Sequence, residues 1–511
     1  MSVFGADTVM DSNRFYKAIL TCVDSNGFFR WTLATQNAET RLMSGSIVAD
    51  ALGNVYQIGW FGVGDISSSG PAVLRFGGHA LVDSYDRSGY YYLTKVDTAG
   101  NVKWLKRLLL EQTSSASWGY PISGGIAMDA FGSIYVCGTF AADTTWLGST
   151  VLTNAGSSTS DIFVAKLDTG GNPVWVRHIG GNSVEYNVSL AVAPRGDVYV
   201  VGKYLSGTLS IGGTTLTNTT SPPTGNLFVA RYDSAGNAKW AKGIPNACLY
   251  ENCTIAADVF NNVYIGGVFS GAITFGSHSL SNPGTAPHMY VASYDSAGNV
   301  RWAKKQSNPL DFITYSIAPD ACGKIWISGG GASSSSSEPT FLVLYDTAGH
   351  ALDSLSLPVG GDDDNGIAVD NNGNLYVCGD YLYATTIGAT TLALVDSEVE
   401  AFFVAKYKYS FTHCIPPIVT LGSQVEELTN SDDITLYPNP ATDEVNIQSA
   451  TSLPPGSKIV ICDMAGRLVA QCSLSGNMTV VNTEQLGAGM YLCNLYAGHE
   501  RVATRKLVIT R

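Results

Sequence analysis

The sequence predicts an all-β protein made of a repeated four-stranded unit, followed by a smaller β domain. Three observations carry this. Hydrophobic residues make up 45% of the 511 residues and charged residues only 14%, with 55 glycines, which describes an ordered and turn-rich chain. Two short turn-and-strand patterns recur through residues 1–410. A Pro-marked break at Ile415-Pro416-Pro417 sets the last eighty residues apart, with their own alternating apolar strands. At this length more than one folding unit is expected.

The first pattern is Asp-x-x-Gly-x-x-x-Trp, found from Asp24 to Trp31, Asp97 to Trp104, Asp168 to Trp175, Asp233 to Trp240 and Asp295 to Trp302. The third copy carries adjacent glycines, Gly170 and Gly171. A sixth copy, Asp346-Thr347-Ala348-Gly349, has Asp353 in place of the tryptophan. Strand-like runs precede the turns, as in Phe163-Val164-Ala165-Lys166 and Phe228-Val229-Ala230-Arg231, and Phe403-Val404-Ala405-Lys406 is a seventh run without its turn. The second pattern is an aliphatic residue, Tyr or Trp, then Gly three residues on: Tyr56 to Gly59, Tyr135 to Gly138, Tyr199 to Gly202, Tyr264 to Gly266 or Gly267, Trp326 to Gly329 and Tyr376 to Gly379. A weaker third element places Gly after Phe76, Ile211, Phe275 and Ile387.

An Asp that opens a turn accepts hydrogen bonds from backbone N–H groups two residues on, and Gly at the far corner supplies the positive φ that a bulged hairpin needs. The flanking runs are rich in Val, Ile, Tyr and Phe, as strands are. Tyr199-Val200-Val201-Gly202 is apolar on both faces, which fits a strand covered on both sides. The tryptophans recur every roughly 60–70 residues, a longer period than WD40 or kelch blades. A unit that cannot bury both faces alone must stack on copies of itself, and a β-propeller is the closed arrangement of such copies. Trp104 and its equivalents are expected to be buried between neighbouring sheets.

These repeats resemble the bacterial seven-bladed β-propeller repeats, on Asp370-Asn371-Asn372-Gly373-Asn374-Leu375-Tyr376-Val377-Cys378-Gly379 and Phe163-Val164-Ala165-Lys166-Leu167-Asp168. The resemblance implies a propeller of four-stranded blades over residues 1–410 and leaves function open, because propellers host unrelated activities. Seven Phe-Val-Ala-Lys-like runs stand against six Tyr-x-x-Gly strands, and the chain opens with Phe4-Gly5 partway through a unit. Met1-Ser2-Val3-Phe4-Gly5 has neither the basic nor the apolar region of a signal peptide. The expectation is seven blades with an incomplete first blade and a missing upstream piece. The alternative is a six-bladed ring closed by its own N-terminal strands.

Residues 432–511 open with Leu436-Tyr437-Pro438-Asn439-Pro440-Ala441-Thr442-Asp443, continue through Val445-Asn446-Ile447, and close with Gly489-Met490-Tyr491-Leu492 and Lys506-Leu507-Val508-Ile509. This order resembles the C-terminal sorting domain of the type IX secretion system of Bacteroidetes. The resemblance implies a small antiparallel β-sandwich, recognised by the export machinery and then removed or exchanged for a surface anchor. Residues 411–431 would be the linker.

The net charge of −13 disfavours nucleic acid and anionic membranes as partners, and no apolar run is long enough for a spanning helix. The ten cysteines include no C-x-x-C pair. Cys248 and Cys253 are close enough for a local bridge, while Cys137 and Cys378 occupy matching repeat positions and read as small core residues. Asp362-Asp363-Asp364-Asn365 offers oxygen ligands but lacks the spacing and the glutamate of a calcium loop. Asp97, Asp168, Asp233 and Asp295 read as turn acids because of their fixed offset from Gly and Trp. The sialidase Asp-box has a shorter Asp-to-Gly interval. The tryptophan-docking repeat of quinoprotein dehydrogenases has a longer one, and no calcium-and-cofactor constellation accompanies the match. His79, His178, His278, His288, His350, His413 and His499 are isolated, and Ser333 to Ser337 read as an exposed loop. The sequence therefore names no catalytic, cofactor-binding or metal-binding residue and implies no cofactor. The expected function is an exported, surface-attached or secreted propeller that binds a glycan or protein ligand without catalysis. The alternative is a secreted propeller enzyme, either a glycan-active hydrolase or lyase or a quinoprotein-like oxidoreductase.

Overall fold

The computed structural model describes residues 2–4, 7–9, 18–24, 26–38, 40–63, 72–83, 88–112, 124–156, 159–218, 225–245, 253–283, 287–306, 312–331, 339–358, 366–370, 373–381, 384–387, 390–392, 401–408, 434–449, 457–463, 468–474, 478–487, 489–497 and 500–510. The described residues form strands and turns, with no helix among them. The chain folds as two compact units, Met1–Phe411 and Thr412–Arg511.

In the first unit, five antiparallel sheets share one plan in which four strands follow in chain order. The first sheet takes Thr40–Ala49, Val55–Val63, Ser88–Val96 and Val102–Gln112. The second takes Gly124–Met128, Ile134–Phe140, Asp161–Leu167 and Pro173–Gly181, and the third Glu185–Val192, Val198–Tyr204, Asn226–Tyr232 and Ala238–Ile244. The fourth takes Thr254–Ala257, Val263–Phe269, His288–Tyr294 and Val300–Lys305, and the fifth Phe312–Pro319, Ile325–Gly331, Thr340–Tyr345 and Ala351–Leu357. A sixth has Gly366–Val369, Asn374–Tyr381 and Ala401–Lys408, and a hairpin of Ile19–Val23 with Phe29–Ala34 precedes the first. The first strands of the six sheets neighbour one another in succession. The sheets therefore radiate from that shared row.

The core follows from this arrangement as a series of seams rather than one centre. One cluster joins Tyr56 and Leu93 to Ile134 and Phe163, the next joins Val164 and Ile179 to Val200 and Phe228, and the series continues through the sixth sheet. Middle strands are covered on both faces: Ile134–Phe140, Val198–Tyr204 and Val263–Phe269 are buried at every residue. A fully buried Val, Leu, Ile or Phe stabilises by roughly 1.5–3 kcal/mol, so each seam is held by many such side chains. The second-pattern glycine makes this packing possible. A Cβ on Gly138 would lie 2.7 Å from Phe163, and one on Gly267 would lie 2.7 Å from Tyr290. The glycine leaves room for the aromatic ring on the third strand of its own sheet. Its fixed place also identifies Gly267, rather than Gly266, as the fourth copy's repeat glycine.

The third, weaker element proves to be the turn of a small hairpin inserted between the second and third strands, for example Thr208–Ile211 with Thr214–Thr217. One such hairpin, Thr144–Leu147 with Thr150–Thr153, is not foreseen in the sequence. In the third unit the hairpin crosses the seam, pairing Ile211 with Ile179 and Leu209 with Gly181, so the second sheet is six-stranded rather than four-stranded.

Two cysteine expectations need correction. Cys137 is fully buried but Cys378, its counterpart in the sixth sheet, is exposed. The face that carries Cys378 also exposes Phe402 and Val404, whose equivalents Ile162 and Val164 are fully buried. The difference is the covering sheet: Leu190 of the third sheet lies over Cys137's side of the second, and no described residue plays that part for the sixth. The Cys253 Sγ donates to the Asn187 carbonyl at 2.8 Å and enters no disulfide, so the local bridge to Cys248 does not form. Cys322 is disulfide-bonded instead. Cys248, Asp362 to Asn365, Ser333 to Ser337, His413, His499 and residues 411–431 lie outside the described residues.

In the second unit, Ile434–Tyr437, Glu444–Ser449 and Met478–Asn482 form one antiparallel sheet, and Leu468–Ser473, Lys458–Asp463, Gly489–Ala497 and Glu500–Ile509 form another. One core lies between them, built on Val445, Ile447, Ile459, Ile461, Leu495, Leu507 and Ile509. Along the last strand Leu507 and Ile509 are buried while Lys506 is exposed, the alternation that a half-covered strand requires. The Tyr-Pro-Asn-Pro segment has a physical part in this. The Asn439 side chain donates to the Lys506 carbonyl at 2.6 Å and accepts from the Val508 N–H at 2.8 Å, so one amide stands in for a strand at the sheet edge. In the Gly-x-Tyr segment, the Tyr491 hydroxyl donates to the Gly487 carbonyl at 2.8 Å.

Candidate functional site

The repeated polar residues are occupied in holding the sheets. In each first-pattern turn the Asp Oδ1 accepts from two backbone N–H groups, as Asp97 does from Ala99 at 3.0 Å and Asn101 at 2.8 Å. These bonds, the Asn101 N–H foremost, hold the Asp97 carboxyl down to about 2. The turn glycine is Gly171 in the third copy, with φ at 78°.

Each tryptophan reaches the next sheet. In four of the five the Nε1 donates to a carbonyl in the following turn at 3.0 Å: Trp31 to Thr98, Trp175 to Ser234, Trp240 to Ser296 and Trp302 to Thr347. The indole lies against that turn's glycine, where a Cβ on Gly236 would sit 2.7 Å from Trp175. Trp104 lies over Gly171 by its far edge, and Lys106 bonds Asn172 at 2.9 Å beside it. The five positions are equivalent as expected, but only Trp175 and Trp302 are buried, and the other three are half-buried at the seam's rim.

The second-pattern turns use their acids too. Tyr135 donates to Asp129 at 3.0 Å and Tyr264 to Asp258 at 2.8 Å. Lys166 of the Phe-Val-Ala-Lys strand lies 3.8 Å from Asp129, which accounts for the basic residue ending that run. In the third unit Ala193 replaces the Asp, and Arg231 pairs instead with Asp197 at 2.9 Å.

One polar group departs from this repetition. Asp161 opens the third strand of the second sheet, His178 stands on the adjacent fourth strand, and Glu185 opens the first strand of the third sheet. Gly180 and Gly181 let the three converge, because a Cβ on either would collide with Asp161 or Ser206. His178 Nε2 lies 2.6 Å from Asp161 Oδ2, which also accepts from the Ala155 N–H at 2.8 Å. Glu185 Oε1 accepts from the Ser206 hydroxyl, and Oε2 from the Gly181 N–H at 3.1 Å. Asp161, Glu185 and Ser206 are fully buried, while the His178 side chain is 35% exposed and packs 5.7 Å from the Phe140 ring. Burial, and next to it the neighbouring Asp161 carboxylate, drive the Glu185 carboxyl well above its ordinary range, against the Ser206 and Gly181 hydrogen bonds.

This arrangement can hold a proton in a dry seam and present an imidazole at its edge. Ser206 is no nucleophile here, since it is buried and its hydroxyl is committed to Glu185. Among the described residues no group of three or more His, Cys, Asp or Glu has metal-holding geometry. Of the other described histidines, His79 bonds the Val102 carbonyl at 3.1 Å and His350 its turn acid Asp346 at 3.0 Å. Reading the sequence misses this site. The available signal is an acid inside an apolar strand run, Asp161-Ile162-Phe163-Val164, where the third sheet has Asn226 and the fourth His288.

Residues 435–510 match the family described as the secretion system C-terminal sorting domain. The protein thus carries a type IX sorting domain, which implies handling by that secretion system and a secreted or outer-surface location. An uncharacterized WD repeat-containing protein of Acanthamoeba polyphaga mimivirus is 24% identical over 347 residues, covering 59% of this chain and 25% of its own length. The chain thus spans about a quarter of that relative. A protein of unknown function from Dyadobacter fermentans aligns over 68% of this chain and 94% of its own, with a TM-score of 0.38 and 10% identity. A DUF4221 family member from Bacteroides vulgatus aligns over 67% and 92%, with a TM-score of 0.30 and 10% identity. The first unit is propeller-like in its repeated small sheets, and no helix among the described residues is long and apolar enough to cross a membrane.

Proposed function

We propose that this protein is an exported β-propeller that works outside the cell as a non-enzymatic binding scaffold for a glycan or protein ligand. Residues 1–410 form the propeller, a ring of seven blades, 411–431 the linker and 432–511 the removable address. The observation that carries the reading is that the repeated Asp, Tyr, Lys and Trp side chains are spent on turns and seams. What remains variable is the loops, which is where a rigid scaffold carries recognition.

The test is a glycan array and a pull-down from cell-envelope fractions with the purified full chain, together with turnover assays on the bound glycans. Saturable binding without turnover supports the scaffold. Failure to bind in both formats counts against it. A secreted enzyme is the second reading, favoured by the half-exposed His178 paired with buried Asp161. Turnover that disappears in His178→Ala would establish that reading instead.

A further inference from the structure

We propose that Glu185 is a neutral acid in the folded protein, that its O–H donates a hydrogen bond to Asp161, and that this bond fastens the second sheet to the third. The argument is one of donors and acceptors. Asp161 Oδ2 is served by the Ala155 N–H and by His178, while Oδ1 is buried and receives no donor from the described N–H and fixed polar groups. A buried carboxylate oxygen left without a donor bears the full cost of having lost its water. The Glu185 carboxyl comes to the same place: the Glu185 backbone N–H donates to the carbonyl of Ser160, next to Asp161, at 2.8 Å, its Oε2 accepts from Gly181, and the adjacent Gly180 lies against the Asp161 carboxyl, all of it shut away from water. Two ionised carboxylates meeting there would leave Asp161 Oδ1 without a donor and would repel one another. A single proton on Glu185 supplies the missing donor and removes the repulsion, as in other carboxyl pairs that cannot both ionise.

Among the described residues no Lys or Arg pairs with Glu185, and the His178 imidazole is committed to Asp161. Facing Glu185 are Asp161 from the third strand of the second sheet, His178 beyond it on the fourth, the neutral Gly181 N–H, and Ser206 after the paired strand. Lys203, on that paired strand, lies over the Tyr186 ring at 5.1 Å. Tyr204, directly opposite Glu185, is a buried neutral phenol. The crossing hairpin, Thr208–Ile211, contributes no charge. Among the described residues the device occurs once. The matching strand start is Asn226 in the third sheet and His288 in the fourth, so the repeated fold does not require it.

The consequence is a seam that loosens as pH rises. The Glu185 pKa moves from 4.5 to about 8 on folding. Between those limits the folded chain holds more of this proton than the unfolded chain. Its contribution is therefore complete below the ordinary range, declines as pH rises, and is gone above the raised value.

The experiment compares thermal and denaturant unfolding of the full chain with Glu185→Gln across that window. A glutamine amide donates to Asp161 and accepts from Gly181 or Ser206 at every pH. The wild-type folded-to-unfolded ratio should fall relative to the variant by up to about tenfold per pH unit, and level off above the window. Infrared spectra should show a neutral carboxylic acid band in the wild type near neutral pH, lost on mild alkalinisation and absent from the variant. Parallel pH profiles together with no such band would overturn the proposal. If the variant does not fold, the wild-type band decides alone: its titration upholds the neutral acid, and its absence near neutral pH rejects it.

Discussion

The two units bury their sheets by different means. In the C-terminal unit two sheets close on a single core, with Ile461, Leu495, Leu507 and Ile509 sharing one set of neighbours. In the repeat unit the second to fifth sheets are buried on both sides by other sheets, and the core is divided among successive seams. A single core is all-or-none, whereas a stack adds local stabilities and nearest-neighbour interfaces. The same kind of substitution should therefore disable one unit and only weaken the other at a place.

The largest effect is expected at Leu507→Ala, which empties the centre of the sandwich at a cost of about 2–5 kcal/mol, against a total of about 5–15 for a whole domain. In a type IX-competent host, with a cleavable export signal joined to the chain, the variant should fail to reach the surface or the medium. Deletion of 435–510 should do the same. Normal export of both would break the assignment of the C-terminal unit as the address.

Trp302→Ala should cost about 3–5 kcal/mol, but locally. The indole clasps the fourth sheet to the turn at Thr347 and stacks on Tyr345 at 6.1 Å. Hydrogen exchange should quicken in the fourth and fifth sheets while the first and second keep their protection. Uniform loss across the unit would show that the seams are not independent.

A smaller and more pointed contrast is Gly236→Ala against Gly27→Ala. Both glycines have positive φ, 80° and 87°, so both changes carry about 1–2 kcal/mol of backbone strain. Only at Gly236 does the new Cβ meet an indole, at 2.7 Å from Trp175, while at Gly27 nothing lies within 4 Å. Gly236→Ala should cost about 1–3 kcal/mol more by denaturant unfolding. Equal costs would remove the clasp from the account.

The smallest effect belongs to the turn acids. Asp233 sits at about 2, because hydrogen bonds from Lys239 and Asn237 outweigh its burial. A carboxyl lowered in this way stabilises above its ordinary value of 3.8, and the contribution is lost as pH falls towards 2. Asp233→Asn should flatten the acid limb of the stability profile slightly and lower neutral stability by the same small amount. A large neutral-pH loss would mean that the acid does more than shape its turn.

Much of this architecture is legible along the chain because it depends on near neighbours. Asp97, Gly100 and Trp104 lie within one hairpin, and the chemistry of a bulged turn fixes their order. Tyr437 to Pro440 and Gly489 to Tyr491 are likewise short segments with short-range duties, although what Asn439 bonds is known only once the last strand is beside it. The exposure of Cys378 is not legible. Its local sequence matches that of Cys137, and burial depends on which sheet lies opposite.

The carboxyl pair marks the limit of sequence reading most clearly. Asp161, His178, Glu185 and Ser206 come from four strands or strand ends in two sheets, and no periodicity joins them. Turn chemistry and strand alternation are consequences of bonded geometry over a few residues, so the sequence alone specifies the repeats, the all-β class and the address. Whether an acid is ionised depends on the water, donors and charges that packing brings or removes. That is settled only when the third sheet closes on the second and leaves Asp161 and Glu185 facing each other in a space without solvent.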